Sequence, residues 1–429
     1  MRLLPRLLLV LAWPAAAWAC PPLPPEAAAS LTPEAVRERV PQCHPDVLAA
    51  ERALGAAAAD VLTAGQRPNP TLGLGAANLG RNMGPGSLWN KAFDHQLRVD
   101  QLVERGGKPR LRVATAQAQR EAARADLAEI VRQATFSTLT GYHALAAALA
   151  RREELSASAA LNRESLAAFD KRVKSGDAAR LDATRFELDA LRVQADLVQA
   201  DTELRALRQQ LALALGAAEQ AARLQPRLAA PSVPADGRAP ASPDPERLPA
   251  VAAAQARLQA AERARELARA QRTRDVGVGV QLDRYPVTPT NDSGTGNTVS
   301  LFVSVPLMVN HAYEGEIARA EADVDTAAEA LRRARAEAAD EAARAQAQWQ
   351  GAQARRRLVL QELLPAAERV AAGAELAFSR GASGVLEVLD ARRALRAAQL
   401  ERINAEAELA QAAAALQASA TAYDAAGAP

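Results

Sequence analysis

Three groups of residues could carry chemistry, each of a different kind. VERGGKPRLRV, residues 103–113, sets a glycine pair before a lysine, as a phosphate-binding loop does. That loop needs G-x-x-x-x-G-K-[ST], so that backbone amides cradle phosphates and a hydroxyl reaches magnesium. Here Leu102 stands where the first glycine belongs, and Lys108 is followed by Pro109, which has no hydroxyl. The phosphate reading fails on both counts. Next, Glu387 and Asp390 are three apart in a helical pattern, hence on one face. Paired carboxylates favour cations, although acids near a helix start also complement the macrodipole of any helix. Last, His44, His95, His143, His311 and the two cysteines are scattered without metal-ligand spacing. No nucleophile–base pair occurs either, so neither an enzyme nor a cofactor or metal site is expected.

The elements that would position such residues follow from composition. The chain has 429 residues and only 3% aromatics, and alanine dominates with leucine, arginine and glutamate behind it. That mix, read at a period near 3.6, predicts long helices packed through small side chains. Residues 1–19, MRLLPRLLLVLAWPAAAWA, read as a secretory leader with a basic start, an apolar run and an A-x-A site. Removing Arg2 and Arg6 with it leaves 50 acidic and 50 basic residues from an original 52 basic. A neutral mature chain argues against nucleic-acid binding. Cys20 directly follows the cleavage pattern, where a lipoprotein would carry acyl chains, but Trp18 and Ala17 fit that signal poorly. A Cys20–Cys43 disulfide in an oxidising compartment is the alternative.

The chain is written twice. TLGLG (71–75) matches DVGVG (275–279) at an offset of 204, as LRV (97–99) matches LFV (301–303). Near the far end Ser175-Gly176 faces Arg380-Gly381, and Leu181 faces Leu386, at 205. Each copy of about 205 residues has the same order. Two strands of period two come first, then a helical pattern of about 67 residues, roughly 100 Å of helix, a glycine turn, and a returning helix. The polar face of the first copy's strands takes Arg98, Asp100 and Glu104; that of the second takes Ser300, Phe302 and Ser304. The expected divisions are an N-terminal segment with a helix (20–70) and a first repeat (71–225). That repeat has strands at 71–79 and 95–104 and a hairpin at 108–222 turning near 176. A linker (226–249), a helix (250–274), the second repeat (275–421) and a tail (422–429) follow. The second repeat has strands at 275–283 and 297–306 and a hairpin at 313–421 turning near 381, whose outgoing helix, about 313–380, is interrupted by Gly351, Pro365 and Gly373. Gly106, Gly107, Lys108 and Pro109 then form a strand-to-helix hinge, with Pro109 in the first turn of a helix.

Four strands with an apolar face pose a physical problem. Facing lipid, a sheet must close, because open edges cannot exist in a bilayer. Membrane barrels start at about eight strands, so these must be pooled from several chains. The duplicated unit, with HPDVLAAERALGAAAADVLTAGQRPNPTL (44–72), VSVPLMVN (303–310) and FSRGASGVLEVLDA (378–391), resembles the TolC-like outer-membrane channels. VERGGKPR and HAYEGEIARAEA (311–322) look most like the heavy-metal efflux branch, whose members often carry GGK then arginine where Pro109 intervenes here. The resemblance implies a homotrimer in outer-membrane lipid, with a trimeric β-barrel above an α-helical periplasmic barrel. It also implies a periplasmic adaptor and an inner-membrane proton-driven pump as partners. Glu387 and Asp390 match the family's constriction carboxylates, and in a trimer would form two stacked acidic rings. Asp182 and Arg185 stand opposite them in the first copy, so an Arg185–carboxylate contact could hold the mouth closed. The turns at Ser175, Gly176, Asp177 and at Arg380, Gly381, Ser383, Gly384 are candidate adaptor contacts. The rival readings are a multidrug or protein-secretion channel of the same family, and an exported coiled-coil protein without a pore.

Overall fold

A computed structural model gives the architecture. It describes residues 20–77, 79, 93–175, 179–228, 244–285 and 296–423. The expected leader (1–19), Gly176 and Asp177 of the first turn, most of the linker, both strand-connecting loops and the last residues of the tail lie outside the described residues. The fold is mainly α with one small antiparallel sheet. In chain order the elements are α1 (Pro25–Ala29), α2 (Pro33–Cys43), α3 (Pro45–Gly65), β1 (Thr71–Ala77), β2 (Asp94–Val103), α4 (Lys108–Lys174) and α5 (Arg180–Ala214). Then come α6 (Pro249–Ala270), β3 (Val276–Tyr285), β4 (Gly296–Ser304), α7 (Glu314–Leu358), α8 (Leu364–Ser379) and α9 (Val385–Ser419).

Several bounds differ from the expected ones for local reasons. The helix after the first turn stops at Ala214. There Gly216 takes φ +61°, and Ala217 N donates to Ala212 O at 2.8 Å, the closure of a glycine-capped helix end. A short 3₁₀ turn, Ala218–Arg223, follows. Glu104 lies past the end of β2, not on the sheet. In the second copy Gly351 and Gly373 do not break the helix. The only change there is a π-helical turn, Val359–Leu363, two residues before Pro365. Proline has no N–H to donate, so the ladder loses a bond there, and an i→i+5 turn absorbs one additional residue.

The described chain forms two compact units. One comprises residues 50–129, 243–343 and 419–429 and holds the sheet, whose order is β1-β2-β3-β4. The central β2–β3 pairing, with Val99 opposite Val280, joins the two copies. Alternation puts Leu72, Leu74, Leu97, Val99, Val280, Leu282, Leu301 and Val303 on one face, and that face is open: Leu74 and Leu301 are each 78% exposed. The core of this unit packs Leu248, just ahead of α6, and Val251 and Ala254 of α6 against Leu331 and Ala338 of α7. The other unit comprises residues 1–49, 130–242 and 344–418. It is cored by stacked small clusters along its helices, such as Ala147 with Ile403 and Ala407, and Trp349 with Leu409 and Leu416. Each large apolar side chain buried there contributes about 1.5–3 kcal/mol, so stability is spread along the helices instead of being concentrated in one centre.

Candidate functional site

The turn of the second copy is built by its glycine. Gly381 has φ +69°, Gly381 N donates to Phe378 O, and Ala382 N donates to Ala377 O at 2.8 Å, ending α8. Four residues later α9 begins, and Val385 and Leu389 bury against Phe169 of α4 and Phe186 of α5. The Phe169 and Phe186 rings lie 4.3 Å apart, and Phe378 stacks on Phe169 at 5.8 Å. Burying positions 385, 388 and 389 turns 387 and 390 outward by helical periodicity. Glu387 and Asp390 are both exposed. In the first copy Arg185 Nη1 donates to Asp182 Oδ1 at 3.2 Å, three residues away on the same helix. Within one chain, then, Arg185 meets its own helix's carboxylate. Of the turn residues, Ser175, Arg380, Ser383 and Gly384 lie within the described chain beside Gly381.

Sequence reasoning missed the residue that organises this end. Asp189 on α5 is 3% exposed, a carboxylate on the buried stripe Phe186, Val193, Ala200. Asn162 Nδ2 of α4 donates to Asp189 Oδ2 at 3.0 Å, and Arg393 Nε of α9 donates to Asp189 Oδ1 at 2.7 Å. Arg396 lies 3.7 Å from the same carboxylate. Arg393 also reaches Asp390 Oδ1, from Nη1 at 3.3 Å. An acid at i+3 from Phe186 and four before Val193, on an otherwise apolar stripe, was the available signal.

The hinge is a joint between the two copies. Gly106 and Gly107 take φ +70° and +71°, and a Cβ on Gly106 would stand 2.7 Å from Thr273 Cβ. The Lys108 side chain is 5% exposed and donates from Nζ to Asp275 Oδ2 at 2.9 Å; Arg105 N donates to the other oxygen, also at 2.9 Å. Partial burial works against the Asp275 carboxylate charge. The Arg105 amide and the Lys108 ammonium outweigh it and hold its pKa below the ordinary range. One turn on, Arg112 pairs with Glu104 and caps the carbonyls of Ala64 and Gln66. Pro109 sits in the first turn of α4.

On the polar face of the sheet Arg98 forks onto Asp100, Nε to Oδ2 at 2.7 Å and Nη2 to Oδ1 at 2.8 Å, and lies 4.3 Å from the Phe302 ring centre. Gly279 makes room for the pair: a Cβ there would stand 2.2 Å from Asp100 Oδ1. Of the two fates open to Cys20, the structure has the disulfide to Cys43, with Cα atoms 5.2 Å apart. Arg39 braces the same corner, donating to Leu215 O at 2.8 Å and Pro21 O at 2.7 Å. His143 is buried, and desolvation together with the Arg37 charge pushes its pKa down to about 4. Among the described residues no cluster of three or more His, Cys, Asp or Glu could hold a metal ion, and no helix is long and apolar enough to cross a membrane.

A duplicated chain of strand pairs and very long helical hairpins, with an open apolar sheet face, has the architecture of an efflux channel subunit. One family model, described as outer membrane efflux protein, matches residues 37–217 and then 246–421. The chain belongs to the outer membrane efflux protein family. It is 25% identical over 395 residues to the cobalt-zinc-cadmium resistance protein CzcC of Cupriavidus metallidurans, covering 92% of this chain and 90% of that protein. Among solved structures, the outer-membrane channel OprN aligns with a TM-score of 0.74 at 22% identity, over 90% of this chain and 89% of that one. The outer membrane protein VceC of Vibrio cholerae aligns at 0.73 and 21%, over 91% and 97%. These likenesses share one fold, and the family is one of passive channels, not enzymes.

Proposed function

We propose that the chain is the exit duct of a tripartite efflux system in the outer membrane of a Gram-negative cell, and that it exports heavy-metal cations. One observation carries the reading: a four-stranded sheet whose whole apolar face is open, with Leu72 66%, Leu74 78%, Leu301 78% and Val303 72% exposed. Such a face suits lipid, and lipid requires that β1 and β4 find partners. Three copies supply twelve strands, and their hairpins supply the tube below. A periplasmic adaptor meets the turns around Ser175–Asp177 and Arg380–Gly384, and an inner-membrane proton-driven pump delivers the substrate. Glu387 and Asp390, repeated by the trimer, ring the mouth with carboxylates, which favours cations. The likeness to a cobalt-zinc-cadmium resistance protein supports metal cargo over drugs.

The test is growth of a deletion strain on a panel of metal salts and a set of hydrophobic drugs. Sensitivity to metals alone is expected, restored by the native gene and not by Glu387→Ala/Asp390→Ala. Sensitivity to drugs alone moves the protein to a multidrug role and overturns the metal assignment.

A further inference from the structure

We propose that Asp189 is a positioning residue for the acidic mouth: it retains Arg393 inside the three-helix junction and so leaves the Asp390 charge directed to solvent. The inference rests on the reading that Glu387 and Asp390 line the mouth.

Arg393 has two carboxylates within reach, and they are unequal. Asp189 is buried, and it takes the Nε–H of Arg393 at 2.7 Å. Asp390, whose side chain is 63% exposed, takes only Nη1 at 3.3 Å. An ion pair shielded from water is far stronger than one facing it, so the guanidinium is committed inward. The junction is furnished for this. Asn162 Nδ2 satisfies the second oxygen of Asp189, and Arg396, 17% exposed, adds a second positive charge 3.7 Å away. The interior carboxylate thus stands against two cations. Neutralise it, and both cations lose their buried partner. Arg393 then has a single carboxylate to turn to, three residues back on its own helix: Asp390. A residue with no access to the passage would in this way set the charge of the ring that faces it.

The same geometry could serve only to tie α4, α5 and α9 together, and ion selectivity separates the two roles. The measurement is the reversal potential of the purified full-length channel in planar lipid bilayers under a potassium chloride gradient. Asp390→Asn is expected to lower the cation-to-anion permeability ratio about twofold or more, since one ring of carboxylates is lost. Asp189→Asn is expected to lower it comparably. The double variant is expected to fall no further than Asp390→Asn, because coupled sites do not add. A wild-type ratio in Asp189→Asn beside a shifted one in Asp390→Asn leaves the acidic mouth standing and overturns the inference. Full additivity in the double variant also overturns it. A silent Asp390→Asn instead removes the acidic mouth itself, and the inference falls with it. Should Asp189→Asn fail to assemble, Asp189→Asn/Arg396→Gln removes the surplus buried cation while leaving Arg393 to swing, and carries the same expectation.

Discussion

The two copies bury their polar groups very unevenly. Of the charged or polar side chains buried among the described residues, Lys108, Arg132, Thr138, His143, Asn162 and Asp189 belong to the first copy, and only Asp283 and Ser419 to the second. At the repeat offset, Lys108 stands opposite Ala312, Thr138 opposite Ala342 or Ala343, and Asp189 opposite Ala394. The candidate gate shows the reverse: Glu387 and Asp390 of the second copy are exposed. Duplication allows this division. The first copy supplies the buried members of joints such as Lys108–Asp275 and Asn162–Asp189–Arg393, whose partners Asp275 and Arg393 come from the second, while the second also supplies charges that face the medium. The burial cost of a charge is met only where partners surround it, so joints are specified pair by pair and exposed charges are not.

That contrast can be broken most directly at its strongest joint. Asp189→Ala leaves two arginines without their buried carboxylate and is expected to cost about 3–5 kcal/mol, whereas Asp182→Ala, at a half-exposed i,i+3 pair, costs below about 1. Thermal unfolding of the detergent-solubilised protein should rank the two accordingly; equal midpoints would erase the distinction between the copies' charges. His143 comes next. Its folded pKa is depressed from 6.5 to about 4, so the fold prefers the neutral ring. Its contribution is intact above pH 6.5 and is lost as pH falls from 6.5 towards 4, amounting to about 3 kcal/mol at the lower end. His143→Leu should flatten that limb of the stability profile. An unchanged acid limb would show that carboxylates alone govern it.

The smallest effects separate the two strand-to-helix hinges. Gly106→Ala meets both a positive φ and Thr273, and about 2–3 kcal/mol is expected; Gly107→Ala meets only the φ cost, about 1–2. The second hinge manages the same kind of bend with a tyrosine: Tyr313 has φ +59°, and its ring lies 4.6 Å from that of His311, tilted by 48°. Tyr313→Gly should therefore shift stability by less than about 1 kcal/mol, strain relief offsetting the lost ring contact and the added chain freedom. Melting midpoints of the three variants test the order. A large loss at Tyr313 would mean that its ring, not its backbone, makes the second hinge.

Much of this was legible because it is local. Alternation at 276–282 and 299–303 defines strands with one apolar face, long stretches almost free of glycine and proline define helices, and Gly381 marks a helix end. Other features depend on residues far apart in sequence, and no spacing rule brings those together. Lys108 reads as part of a hinge motif, yet its partner is Asp275, one residue ahead of a strand in the other copy. Asp189 reads as one more helix acid, yet Asn162 and Arg393 arrive from two other helices. Glu104 reads as a strand residue until Arg112 captures it beyond the strand's end. Periodicity determined which residues are helix or strand and which face is apolar, because those preferences act within a few residues. Only the tertiary structure decided which charges are joints and which remain outside, because that depends on what else is buried beside them.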